Sequence, residues 1–351
     1  MKIGIYTDVH CSFTSSILPT FEDGSKYTTR LQMIIDTFRW MYNVFEKHNV
    51  DIIVNCGDLF DSYNVRAEEL SAMSEALKFG GNIPELHILG NHEILDKHRM
   101  FNAVALLDNY SHIDVITDPV KLKCGISLLP YCTIGEATDI IPYLSNDILF
   151  SHIDIKGSFV TSQYALDVGV EPTRLSNNFK RVINGHLHSP QSFGACVHNI
   201  GASTSLSFSD NSDYIPRITI LDTDSLTLTY ESNPHAIRFI KRENSTVEEL
   251  QKLINSLTNR AAIRVKCKLE DKPQIAELFE NSDKVIAHRI ITEHSTATAQ
   301  AIETDAPVLE HITDVDSKFL EFLETCNELK YPMSEYQKVI AKACGGVTNE
   351  N

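Results

Sequence analysis

The chain has 351 residues, 42% of them hydrophobic and 22% charged, which is enough apolar material for two domains with cores of their own. Its net charge of −16 excludes a general electrostatic attraction to nucleic acid. The absence of any run of about 18 apolar residues excludes a membrane-spanning helix.

Residues 1–8, from Met1 to Asp8, read as a first β-strand and not as a signal peptide. Eight cysteines are scattered without a C-x-x-C pair, a pattern expected of reduced thiols in a cytoplasmic protein. Strand and helix signals then alternate. Ile3–Tyr6 is a short apolar strand. Residues 26–48 form a helix, with Leu31, Ile34, Ile35, Phe38, Tyr42 and Phe45 at spacings of three and four. A strand over 51–56, a helix over 66–79 and a strand over 84–89 follow. This alternation predicts a parallel sheet with right-handed crossovers.

From about residue 113 the pattern becomes a series of strands, at 114–117, 120–123, 126–130, 147–151, 181–184, 197–200, 217–221 and 226–230. The expected fold class is α/β: two face-to-face sheets with helices outside, a four-layer α/β-β/α sandwich over residues 1–234. Residues 235–292 read strand, helix, strand, helix, strand, a small α+β cap. That cap is the net-positive part of the chain, with 11 Lys and Arg against 8 Asp and Glu, and DNA contact is one reading of it. Residues 293–312 read as a linker and 313–351 as a helical pair, with Phe319, Phe322, Leu323, Tyr336, Val339 and Ile340 on apolar faces.

Five short motifs follow predicted strands: Asp8-x-His10, Gly57-Asp58-x-x-Asp61, Gly90-Asn91-His92-Glu93, Ser151-His152 and Gly185-His186-Leu187-His188. In an open α/β sheet, ligands gather beyond the carboxyl ends of the strands, and glycines there let the backbone turn sharply. Asp8, His10, Asp58, Asn91, His152, His186 and His188 form a nitrogen and oxygen donor set without sulfur, which suits Mn²⁺, Fe or Zn²⁺ and suits Ca²⁺ poorly. So many donors fit two ions about 3.5–4 Å apart, with Asp58 as the bridge. Asp8, His10 and His188 are expected on one ion, and Asn91, His152 and His186 on the other.

In this order the motifs resemble the calcineurin-like metallophosphoesterase superfamily over residues 1–230. The cap, the linker and the terminal helices narrow the likeness to the nuclease subunit of the SbcCD-type DNA repair complex, in its phage and bacterial form. The resemblance implies a metal-dependent DNA nuclease, acting 3′ to 5′ on duplex ends and as an endonuclease on single strands. It further implies Mn²⁺ (with Mg²⁺ or Zn²⁺ as alternatives), an ABC-type ATPase partner with a coiled coil that docks on 313–351, and a homodimer. It also gives His92 a role on the substrate phosphate, as general acid or transition-state stabiliser. Glu93 replaces the family's Asp, and its longer arm is expected to orient a neighbouring histidine. Asp61 is expected to hydrogen-bond behind a ligand, and Cys11 to be a passive thiol. Ser203, Thr204 and Ser205 either donate to a phosphate or are held by ordinary turn bonds. A stand-alone metallophosphatase or small-molecule phosphodiesterase is the alternative function, and a scaffold with a decayed site the third.

Overall fold

The computed structural model describes residues 1–292 except 23, 96–101, 161–163 and 210–212. The expected linker and helical pair therefore lie outside the described residues. The elements in chain order are β1 Lys2–Tyr6, α1 Thr29–Lys47, β2 Ile52–Asn55, α2 Ala67–Leu77, β3 Glu85–Ile88, β4 Ile113–Ile116, β5 Val120–Lys121, β6 Ile126–Leu129 and α3 Ile134–Leu144. They continue with β7 Ile148–Ser151, α4 Pro172–Asn178, β8 Arg181–Asn184, β9 Gln191–Phe193, β10 Val197–Asn199, β11 Arg217–Asp222 and β12 Thr227–Ser232. The last described elements are β13 Arg238–Glu243, α5 Val247–Ser256, β14 Ala261–Cys267, α6 Lys272–Glu280 and β15 Val285–Thr292. None of the described helices is long and apolar enough to cross a membrane.

Two six-stranded sheets form the central layers, ordered β12-β11-β1-β2-β3-β4 and β5-β6-β7-β8-β10-β9. Strands β1 to β4 are mutually parallel, as the alternation predicts, and β11 joins β1 antiparallel. Because both faces of each sheet are covered, strands are apolar on both sides. Ile3, Ile5, Val54 and Cys56 meet Ile148, Phe150 and Ile183 between the sheets. Tyr6 and Ile53, pointing the other way, pack on Phe38, Met41 and Phe45 of α1. Leu149 and Val182 face Ala137 and Ile141 of α3 and Leu175 of α4. The result is the expected α/β-β/α sandwich.

Helix α1 starts where Thr28 caps it, the hydroxyl accepting from Leu31 N–H at 3.3 Å. Helix α3 is not among the sequence-based expectations. Thr133 and Glu136 form its capping box, but Gly135 and Pro142 weaken the periodic signal that identifies a helix. Helix α4 opens on Pro172 and is equally short of periodicity.

Strands β13, β14 and β15 form a separate parallel sheet in that order. One face packs on α5 and α6 through Ile240, Ile263, Leu250, Ile254, Ile275 and Phe279. The other face carries Phe239 and Ala262 into the core of the first sheet, where Phe239 meets the Phe208 ring edge-on at 5.5 Å.

Candidate dinuclear metal centre

The five motifs occupy the turns beyond the carboxyl ends of β1, β2, β3, β7 and β8. All seven expected donors come together there. His188 Nε2 faces His10 Nε2 at 3.1 Å, and His10 Nε2 is 3.8 Å from Asp8 Oδ1. Asn91 Oδ1 lies 3.1 Å from both His152 Nε2 and His186 Nδ1. Between these groups lies one oxygen, Asp58 Oδ2, 3.7 Å from His10 Nε2 and 3.3 Å from His152 Nε2. Asp8, His10, Asp58 and His152 are buried, and Asn91, His186 and His188 are half-buried above them.

The backbone is bent to make this possible. Asp8, His10, Asp58 and His186 have φ of 51, 47, 54 and 78°, in the left-handed region. Such a conformation costs on the order of 1–3 kcal/mol for a non-glycine residue and persists only where surroundings enforce it. Two glycines keep the turns close. A Cβ on Gly90 would lie 2.0 Å from Asp58 Oδ1, and one on Gly57 would lie 2.3 Å from His152 Nδ1.

The tautomers are fixed from outside. His10 Nδ1 is 3.2 Å from Asp61 Oδ1, His152 Nδ1 is 2.6 Å from the Cys56 carbonyl, and His186 Nε2 is 2.9 Å from Asp154 Oδ1. The Cys56 carbonyl and Asp154 each claim an N–H, so His152 Nε2 and His186 Nδ1 turn lone pairs toward the common centre, while Asp61 lies within ion-pair distance of His10 Nδ1. Asp8 Oδ1, buried, accepts no hydrogen bond from the described residues. Lone pairs and carboxylate oxygens aimed at one another repel unless a cation or protons lie between them. The donor set therefore fits divalent ions, with Asp8, His10 and His188 able to hold one, Asn91, His152 and His186 the other, and Asp58 both.

Protons take that place when no cation does. Burial opposes charge on His10, but the neighbouring carboxylates of Asp61, Asp8 and Asp58 outweigh it and raise its pKa to about 10. Burial likewise opposes charge on His152, yet Asp58 raises it to about 9. Burial acts to raise the Asp58 pKa, and the surrounding histidines hold it well below the usual carboxylate range. Raised histidine pKa values stabilise the ion-free fold fully below the ordinary value of about 6.5. That stability is lost as pH rises through about 9 and then about 10. Cation binding must expel those protons, so it strengthens with pH and releases protons at pH 7. Calorimetric Mn²⁺ titration in buffers of different ionisation enthalpy measures the release. Heats that do not vary with the buffer would exclude these nitrogens as donors.

His92 stands at the rim, 42% exposed, its ring edge-on to His10 at 4.7 Å. Its backbone N–H donates to Asp58 Oδ1 at 3.0 Å, and its Nδ1 to the Asp61 carbonyl at 2.9 Å. Glu93 does not orient a histidine, contrary to expectation. Fully buried, it accepts from the N–H groups of Leu59, Phe60 and Gly90 at 2.6, 3.1 and 2.9 Å, tying the two turns together. Burial and the charge of Asp58 raise its pKa to about 7. Asp61 fills its expected place behind His10. Cys11 is buried, and burial pushes its thiol up. Ser203 and Thr204 are occupied by backbone groups of the first motif's turn, the Thr7 N–H at 3.1 Å and the Val9 carbonyl at 2.8 Å, which are long-range bonds and not the local turn bonds expected.

Several contributors escape sequence reasoning. Asp154 holds His186, and its only linear signal is its position two residues after His152. Tyr131 walls the centre, its ring 6.0 Å from His186 and 6.4 Å from His152. Arg30 of α1 is buried and donates to the carbonyls of Val9, His10 and Ser205 at 2.8, 3.1 and 2.6 Å, clamping the first motif.

The calcineurin-like phosphoesterase family model matches residues 1–190. No curated protein matches the chain significantly. Among solved structures the chain is similar to a protein of Thermus thermophilus, with 9% identity, a TM-score of 0.39, and coverage of 66% of this chain and 98% of that one. It is also similar to a dimetal phosphatase from Danio rerio, with 11% identity, a TM-score of 0.37, and coverage of 66% and 99%. The nuclease MPE of Pseudomonas putida is similar too, with 14% identity, a TM-score of 0.30, and coverage of 65% and 87%. These likenesses are distant, and family membership rests on the sequence match, which spans more than half of the chain and contains all seven donors. The chain belongs to the calcineurin-like phosphoesterase family of metal-dependent hydrolases.

Proposed function

We propose that the chain is the nuclease subunit of an SbcCD-type complex, a two-metal phosphodiesterase that cuts DNA with Mn²⁺ as its activating ion. The observation that carries the two-metal reading is the position of Asp58 Oδ2 between two imidazole groups. Divalent ions held by these seven side chains would supply a water of lowered pKa and charge to offset the phosphate oxygens. The chain's own residues do the rest. Asp61, Asp154 and the Cys56 carbonyl fix the imidazoles, so that little reorganisation accompanies reaction. His92 Nδ1 must carry a proton, because the Asp61 carbonyl can only accept. Nε2 is therefore the ring atom that exchanges one. As the water oxygen bonds to phosphorus and gives up a proton to solvent, the bond to the leaving oxygen breaks; the imidazolium form of His92 passes its Nε2 proton to that oxygen and is left neutral.

DNA as substrate is favoured by the third sheet. The pairing register sets Lys241, Arg264 and Arg289 side by side across β13, β14 and β15. They lie two residues beyond Phe239 on the same face, and Phe239 shares a small cavity with His188. Three cations abreast suit a phosphate backbone. The proposal includes an ABC-type ATPase docked on residues 313–351, a homodimer and a cytoplasmic setting. The net charge of −16 favours the second reading, a stand-alone phosphatase or small-molecule phosphodiesterase.

The two readings part on substrate. Duplex DNA with a 3′ overhang and a nitrophenyl phosphodiester are assayed side by side with Mn²⁺ and with Mg²⁺. Cleavage of DNA is expected; cleavage of the small ester alone would select the second reading. Removing residues 313–351 is expected to leave weak nuclease activity and abolish co-purification with the ATPase. A truncated chain that still co-purifies would place the docking surface elsewhere.

A further inference from the structure

We propose that a buried polar row formed by Asn55, His87 and Glu85 is a positioning network, which sets the turn carrying Asp58 and through it the affinity of the centre for divalent ions. The inference rests on the donors holding such ions and is independent of the substrate.

The row comes from the strand register. Tyr6, Asn55 and His87 are neighbours across β1, β2 and β3, directly below the turns that bear Asp8, Asp58 and Asn91. Glu85 lies two residues before His87 on the same face, and all four side chains are buried. Glu85 Oε1 accepts from the Tyr6 hydroxyl at 2.5 Å and from His87 Nε2 at 2.8 Å, and Oε2 accepts from the Tyr42 hydroxyl at 2.8 Å. A carboxylate only accepts, so His87 carries its proton on Nε2 and offers a lone pair at Nδ1. Asn55 Nδ2 faces that lone pair at 3.5 Å. The amide is thereby oriented with Oδ1 on the other side, where it accepts the Gly57 N–H at 3.1 Å.

The chain of hydrogen bonds has one polarity from Gly57 to Glu85, and its end falls at a sensitive place. Gly57 has φ of 99°, and Asp58 after it has φ of 54°. The Gly57 carbonyl in turn accepts the Asp8 N–H at 3.0 Å. Two carboxylate donors thus hang on one turn that Asn55 holds from below. Burying a Glu–His pair carries a desolvation cost before its bonds are counted, and apolar side chains of similar volume would often pack a core at least as firmly. The pair's worth is the fixed direction it imposes on Asn55. Groups bonded directly to a ligating side chain typically alter metal affinity by about 10–100-fold when removed, and Asn55 acts one residue from Asp58, through the Gly57 N–H.

The test is calorimetric Mn²⁺ titration of the full metal-free chain without substrate, with melting in chelator measured alongside. His87→Leu removes both bonds and is expected to weaken Mn²⁺ binding at least about tenfold. His87→Gln keeps one donor and one acceptor and is expected to restore affinity to within about threefold of the original chain. Tyr42→Phe removes one bond to Glu85 without touching the arm to Gly57; it is expected to lower the melting temperature and leave Mn²⁺ affinity unchanged. Should His87→Leu fail to fold, Asn55→Ala decides, since it deletes the acceptor for Gly57 and keeps the Glu85–His87 pair. A folded His87→Leu or Asn55→Ala chain that binds Mn²⁺ as the original does would overturn the proposal and leave the row a packing feature. Failure of the original chain to bind Mn²⁺ would instead remove the metal reading itself.

Discussion

Asp58→Asn is expected to lower phosphodiester cleavage by about three orders of magnitude and to leave the chain holding one tightly bound ion or none. The substitution keeps shape and the oxygen that receives the His92 N–H, but it removes the negative charge between the two imidazole groups. Losing about 4 kcal/mol of charge stabilisation in the transition state corresponds to roughly a thousandfold in rate. The same change withdraws the main charge that raises the pKa of His152 and one of those that raise His10, so fewer protons should be released when Mn²⁺ binds. Elemental analysis of the purified protein and steady-state rates at saturating Mn²⁺ measure both effects. An Asp58→Asn chain with two ions and a rate within about tenfold of the original would remove Asp58 from the bridging position.

His92→Ser separates chemistry from metal binding. The contact that His92 makes with Asp58 comes from its backbone N–H, which serine retains, so metal content is expected to stay near that of the original chain. Cleavage of DNA is expected to fall by about 10²–10⁴-fold, the usual worth of a positioned general acid. A substrate with a different leaving group sharpens the test. Nitrophenolate departs without needing a proton, so a nitrophenyl phosphodiester should lose far less than DNA does if His92 acts as an acid. Equal losses on both substrates would assign it to stabilising the phosphate instead. Full activity on DNA would exclude it from the reaction.

The linear chain was enough to pick out the seven side chains that converge, because a candidate donor set draws on a few residue types and strand-end turns announce themselves by apolar runs followed by glycine. Gly57-Asp58, Gly90-Asn91 and Gly185-His186 are readable for that reason, and the sandwich follows from where the apolar runs fall. Helix α3 was hidden because its evident start, Thr133 with Glu136, is followed by Gly135 and Pro142 in place of a clean period.

Folding alone decided what stands behind the donors. Asp154 reaches His186 across 32 positions, Glu93 reaches Leu59 across 34, and Arg30 reaches Ser205 across 175. In the sequence, Glu85 and His87 interrupt an otherwise apolar strand without explanation; the packing of β3 between β2 and β4, under Tyr42 of α1, supplies it. A ligand is recognisable by its own chemistry, whereas a supporting group is defined by its neighbour. Neighbours across a sheet are set by strand order and register, which depend on all the strands at once.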